Sequence, residues 1–596
     1  RSPGAWRLLT IRTALTSPTG GSRARRWVPP AYALALALAI TAPLLAPGYL
    51  LFRDAVSTPR SYLSDAALGL TEAAPRALPQ DFAIAVMSVV LDGGIVVKAL
   101  LIAGLFLACW GAGLLSRAVL AEAGLPGELV ASTLAIWNPY VAERLLQGHW
   151  SLLVGYGCLP WVALTVIRLR SRPTQQRWGS WGALAFWTAL AGLTPTGLML
   201  AVTVAFACVA APGAGVPRFR CLGGVFITGL CGAAPWLTAA ALGSGLGTSP
   251  VSGLDVFSAR AEPGLGTLGS LAGLGGIWNS EAVPVSRTSL FALLGTAVLL
   301  LVVGLGVRTA ARVPATRPLL VLSVAGVLIP AAMASGVGLS LLREIVDAAP
   351  GLGVLRDGQK WVALAVPGYS LAGAAAVLAL RRWIRPEAMA AVCLIGLIAV
   401  LPDLVWGVGG QINSVRYPPG WAAVTGTVNA TPGTVAVLPT DTMRRFGWAG
   451  SAPVLDPLPR WLRPTVLATG DLLIAGQTVP GEGARARTVQ ELLLAGAPPS
   501  SLAAAGVGWI VDERDSSGAR GASARSVSGL PVAYRDSDIV LYHVGTANSV
   551  APQDKRTVMV LAHLIWAALM AFGAIAALCA RVQGARVQGA RVQGAR

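Results

Sequence analysis

Apolar positions in this chain gather into long, nearly unbroken runs separated by short polar junctions. Twelve such runs are legible, at 31–52, 95–115, 129–146, 150–167, 178–193, 196–211, 221–242, 290–307, 319–342, 361–380, 388–406 and 558–580. About 20 apolar residues in helix cross the hydrocarbon core of a bilayer. The pattern therefore predicts an all-α polytopic membrane protein of about 12 transmembrane helices. Pro43 and Pro47 in the first run and Pro139 in the third are tolerated where neighbouring helices satisfy the freed backbone groups. The first run follows Arg23, Arg25 and Arg26, and its length reads as an uncleaved signal anchor.

The pattern changes over 407–556. Residues 434–438 (TVAVL), 508–512 (GWIVD) and 539–543 (IVLYH) read as short strands, and 488–494 and 501–505 as helix. Strands alternating with helical segments predict a small α/β domain just before the last span. Residues 1–30 form a basic arm, and 581–596 carry repeated VQGAR units too polar and Gly-rich to pack. Such a tail is expected to be solvated near anionic lipid.

Charge orients the spans. With the N-terminus in the cytoplasm, the cytoplasmic segments hold 23 Arg against Glu122, Glu128 and Glu387, while the remainder of the chain has a net charge of −1. Basic residues concentrate on the cytoplasmic side of membrane proteins. Both termini are thus expected in the cytoplasm of a plasma-membrane protein. Loops 53–94, 143–149, 243–289 and 343–360 and the 407–556 domain are expected outside.

Composition narrows the class further. Only 12% of the 596 residues are charged, against about 25% in soluble domains. That excludes a soluble enzyme and a disordered chain. The formal charge of +19 does not indicate nucleic acid, because it sits in the short loops and no basic helix or aromatic-basic interleaving supports that partner. All seven cysteines fall in apolar runs, which implies buried thiols rather than a disulfide framework. Only Lys98, Lys360 and Lys555 are lysines, and the Arg, Ala, Gly and Val bias fits a GC-rich, actinobacterial genome.

Loops of this size suit a membrane enzyme better than a carrier, and three carry candidate chemistry. Arg53 and Asp54 follow the first run directly; a carboxylate at a helix exit could act as general base on a hydroxyl, or simply mark the membrane edge in an ion pair. WNPYVAERLLQGHW places Glu143, Arg144, His149 and Trp150 in one short turn. A structural histidine and an interfacial aromatic belt are the plainer readings there. Asp54, Glu143 and His149 are the ligand types for a divalent cation (Mg or Mn), although no spacing demands one. GLGVLRDGQKW carries Arg356, Asp357 and Lys360; one helical turn would put Arg356 and Lys360 on one face as a phosphate cradle. A solvated charged loop is the alternative. The Gly-rich stretch 259–287 follows no strand, so it is a lid or a plain connection rather than a dinucleotide fingerprint.

A signal anchor leading to Asp54, a second acid at Glu143, many spans and a late domain together resemble polyprenyl-phosphate-dependent glycosyltransferases of the GT-C fold. NPYVAERLLQGHW is similar to the corresponding loop of actinobacterial arabinofuranosyltransferase-like proteins. Arg53-Asp54 stands where that family carries paired acids, and 407–556 shows no β-sandwich. The resemblance implies an inverting transfer of arabinofuranose or mannose from a polyprenyl-phosphate donor to a cell-envelope glycan or glycolipid. It assigns Asp54 as base and Glu143 as the second acid. Arg356 and Lys360, with Arg144 or His149, would stabilise the departing phosphate, and Arg53, Trp150 and Asp357 would complete the substrate site.

Two other classes remain. A transporter would place ionisable residues at mid-membrane, where only Asp92, Lys98, Asp403 and His563 are candidates. A non-catalytic envelope-biogenesis scaffold would use the late domain to bind a partner.

Overall fold

The computed structural model describes residues 26–72, 76–171, 177–243, 253–474 and 476–593. The basic arm, with Arg23 and Arg25, falls almost wholly outside the described residues. Every apolar run contains a helix, but the helices differ in length. Seven of those described are long and apolar enough to cross a membrane, and two bent pairs raise the number to nine. One pair, Arg317–Met333 and Gly336–Ala348, turns by 88°, and the other, Pro386–Ala399 and Pro402–Gly410, by 70°. The expectation of twelve also counted the runs at 129–146, 178–193 and 196–211. Their main helices, Gly124–Ile136, Arg177–Ala191 and Pro195–Val209, have 13, 15 and 15 residues, short for a straight crossing.

The helix Trp150–Ser171 is the axis of the bundle. Its most apolar window is 94% buried, against 33% for Phe291–Ala311, which leaves the latter to face lipid. A helix apolar on all sides belongs inside. Small residues permit the packing: a Cβ on Gly157 would lie 2.2 Å from the carbonyl of Gly104 on Gly93–Val119.

The first run is not one helix. Val28–Thr41 gives way to a 3₁₀ turn at Ala42–Leu45, and the chain then becomes a strand, Tyr49–Phe52. Pro47 accounts for the change, because it pushes the residue before it out of the helical region. The strand pairs with Ala55–Val56 on one side and Ser414–Val415 on the other. Phe52 faces Ala55, so Arg53 and Asp54 form a two-residue hairpin turn. Asp54 is therefore carried on a hairpin tip and not at a helix exit.

In the late domain the strands read from sequence occur at Val435–Leu438, Trp509–Glu513 and Ile539–His543, adjacent in one sheet. A fourth strand, Val532–Arg535, closes the edge. Helices Ala484–Ala495 and Pro499–Ala504 cover one face. The last helix runs Gln553–Gln593, so the backbone stays helical through most of the VQGAR repeat.

Candidate functional site

Asp54 owes its position to backbone contacts from three directions. Its N–H donates to the carbonyl of Gln147 at 3.2 Å. Arg53 N–H donates to Pro453 O at 3.0 Å and Leu455 N–H to Arg53 O at 2.9 Å, so the late domain grips the hairpin from the far side. Arg53 itself has a φ of +50°, which L residues seldom adopt outside such turns. On the near side lies Gly148 with φ +82°; a Cβ there would meet Ala55 N at 2.4 Å and Phe52 O at 2.5 Å. Glycine is required at 148 because two backbones touch.

The Asp54 side chain is 34% exposed, and its Oδ2 accepts two hydrogen bonds. One comes from Gln147 Nε2 at 3.1 Å and the other from His149 Nε2 at 3.0 Å. The histidine tautomer follows from its other nitrogen. Nδ1 lies 3.1 Å from Arg144 Nη1, and a guanidinium can only donate. Nδ1 must therefore accept, the proton must sit on Nε2, and His149 is neutral. Electrostatics agree: burial, aided by the positive charges of Lys360 and Arg144, holds His149 below its ordinary value. For Asp54, burial pushes the carboxyl up, but the His149 bond, Gln147 and Lys360 outweigh it and leave the group below the usual carboxylate range.

Arg144 is fully buried, and both of its terminal nitrogens are committed while Nε has no partner among the described residues. It makes a bidentate pair with Asp357 at 2.8 and 3.0 Å and also donates to the side-chain carbonyl of Gln359. Burial raises the Asp357 carboxyl, yet Arg144 and Lys360 overcome that and keep it ionised. The result is a continuous line from Asp357 through Arg144 and His149 to Asp54.

Glu143 sits apart from this line. It is 0% exposed and accepts from Gly276 N–H, Ile277 N–H and Gln359 Nε2 at 3.2, 3.1 and 2.9 Å. Its oxygens thus fasten the Gly-rich stretch to the Pro139–Leu146 helix. That stretch is secured again by the buried bidentate pair of Glu262 and Arg287. It is a pinned connection rather than a lid. The expected meeting of Asp54, Glu143 and His149 around a divalent cation does not occur. Asp54 and His149 touch, Glu143 is occupied by amides, and no group of three His, Cys, Asp or Glu suited to a metal exists among the described residues. The residues do not fit a three-ligand cation site.

The cationic cradle also differs from expectation. Pro350–Arg356 and Gly358–Ala365 are separate 3₁₀ segments broken at Asp357, so Arg356 and Lys360 do not share one helical turn. Lys360, 24% exposed, reaches Asp357 at 3.6 Å and contributes its charge to the Asp54 site. Arg356 turns away over the Phe257 ring, 4.2 Å from its centroid, where burial and the nearby Arg76 press its guanidinium down to about 10. Arg53 reaches Glu281 at 3.0 Å. Trp150 is 3% exposed within the bundle core and offers no surface to a ligand.

Sequence reasoning passed over Gln147 and Asn279, and it saw Gln359 within the third charged cluster without giving it a role. All three are neutral amides; Gln147 and Gln359 had a visible signal, each lying between charged residues of one short segment, and Asn279 had none.

The multi-pass bundle, with its carboxylate-bearing first loop and late mixed domain, is similar in fold to solved GT-C structures. In particular, it matches the solved structure of arabinofuranosyltransferase AftD from Mycobacteria with a TM-score of 0.58 and 16% identity, over 88% of this chain and 40% of that one. Two classes of a point mutant of the same protein match at a TM-score of 0.53, with 17% and 16% identity, covering 88% and 87% of this chain and 42% and 41% of theirs. The chain thus spans well under half the length of the structures it matches. No family model and no curated protein matches the sequence.

Proposed function

We propose that this protein is an integral membrane glycosyltransferase that moves a sugar, arabinofuranose or mannose, from a polyprenyl-phosphate donor to a cell-envelope glycan or glycolipid on the outer face of the membrane. The observation that carries this reading is Asp54: an ionised, one-third-exposed carboxylate held rigidly on a hairpin tip beside the ammonium of Lys360, within a GT-C fold. The acceptor hydroxyl gives its proton to Asp54 as its oxygen attacks the anomeric carbon. The bond from that carbon to the phosphate oxygen breaks with inversion, and polyprenyl phosphate leaves with the electron pair. Lys360, whose charge reaches Asp54, serves as the counter-ion for that developing charge, a role that commonly lowers such barriers by a few kcal/mol. Arg356, stacked on Phe257, supplies a second cation. Glu143 and Arg144 act by position, one holding the 276–277 backbone and the other fixing the His149 tautomer. The charge asymmetry of the junctions supports the outward orientation.

The test is transfer from radiolabelled polyprenyl-phosphate arabinose and mannose in membranes carrying wild type or Asp54→Asn. Loss of product with normal protein levels supports the base. Equal product from both removes it and leaves a non-catalytic scaffold.

A further inference from the structure

The Asp54 carboxylate is asymmetric in a way that the proposed reaction alone does not require. Both side-chain donors, His149 and Gln147, bond to Oδ2, while Oδ1 receives no hydrogen bond from any described residue. The direction of the Gln147 amide is set by a chain of contacts that begins at a main-chain donor. Glu281 N–H can only donate, and it donates to Asn279 Oδ1 at 3.0 Å. The Asn279 amide must then present its NH₂ to the other side, where it meets Gln147 Oε1 at 2.8 Å. Gln147 in turn has only its NH₂ left for Asp54. Amide ends look alike by shape, and such a network is what distinguishes them. The relay has a firm base, since Glu143 pins the Gly276 and Ile277 amides two residues before Asn279.

We propose that Asn279 and Gln147 are positioning residues forming an amide relay that keeps Asp54 Oδ2 occupied and so presents Oδ1 as the proton-accepting oxygen. The relay rests on the reading of Asp54 as base. Its physical content is polarity. If Asn279 cannot donate, Gln147 turns over to satisfy its replacement and aims a carbonyl at the Asp54 carboxylate. That repulsion raises the affinity of Asp54 for a proton and frees the side chain to rotate, so the acceptor hydroxyl meets a displaced and partly protonated base. His149 and Lys360, the other groups facing Asp54, are untouched by the change.

Asn279→Asp keeps the shape and the acceptor for Glu281 N–H while removing the donor, but its new charge pushes Asp54 the same way, so the neutral variant that follows carries the decision. Gln147→Met, which keeps length without polarity, is the second. Each is purified in nanodiscs and read in two ways. In transfer from the radiolabelled donors, kcat is expected to fall about tenfold with KM little changed, the pattern of an interaction made in the transition state. In labelling of Asp54 by a water-soluble carbodiimide and an amine at fixed mildly acidic pH, read by peptide mass spectrometry, the rate is expected to rise about tenfold, equivalent to about one unit of carboxyl pKa. Asn279→Gln, which restores an amide, should recover part of both. Folded variants with wild-type labelling rates overturn the relay whether or not a donor turns over. Full turnover by Asp54→Asn overturns the base instead, and the labelling result still decides the orientation of the amides.

Discussion

Asp54 and Glu143 are carboxylates on neighbouring segments, yet their surroundings give them opposite roles. Asp54 stands on a two-residue turn, a third exposed, with one oxygen bonded and the other open. Glu143 is sealed in the bundle with both oxygens bonded to donors, two of them main-chain amides that cannot move away. A group that must exchange a proton with substrate needs an open lone pair and access. A group that must hold a loop needs neither. The difference between the two lies in what the backbone around each has already used.

The sharpest way to break that contrast is Asp54→Asn, which should lower turnover by about 10²–10⁴-fold, the usual range for a lost general base, while the thermal unfolding midpoint stays within a few degrees. Glu143→Ala should do the reverse in kind. It leaves the Gly276 and Ile277 amides without acceptors at about 1–3 kcal/mol each, so a loss of at least ~2 kcal/mol in detergent unfolding is expected. If Glu143→Ala folds normally and loses only turnover, the scaffold role is wrong. Gly148→Ala tests the contact between the two regions. The new methyl collides with the hairpin backbone, and a turnover loss of about 10–100-fold should accompany a strain of roughly 1–3 kcal/mol in stability.

The pH dependence should follow the same division. Asp54 has its carboxyl held down in the fold, so the stability it contributes is present above the ordinary aspartate value and disappears as pH falls through the lower folded value. His149 is likewise held down and stays neutral, so its contribution is full above about 6.5 and fades as pH falls below that. Removing the imidazole with His149→Ala should move the acid limb of the activity profile to higher pH, because Asp54 loses its leading partner. A limb that stays in place would show that His149 does not tune the base. The smallest effect belongs to Glu281→Ala. Its carboxylate is 58% exposed, and Arg53 keeps its bond to the Glu281 main-chain carbonyl at 2.9 Å, so unfolding should shift by less than about 1 kcal/mol.

What the sequence determined was what composition and period encode. The order of apolar helices, the late α/β domain and its three core strands could be read because a bilayer demands long apolar runs and a sheet demands short β-branched ones. Asp54 was legible as a candidate because an ionisable residue so close to a span stands out. The Pro47 break went unread as such, since a proline alone does not tell a kinked helix from a helix that becomes a strand. Only the tertiary structure decided which carboxylate stays open, which histidine nitrogen holds the proton and why glycine occupies 148. Those outcomes depend on contacts between segments far apart in the chain, such as Pro453 and Leu455 with Arg53, or Asn279 with Gln147. Hydrogen-bond polarity is passed from atom to atom across such contacts, and it leaves no periodic trace in the order of residues.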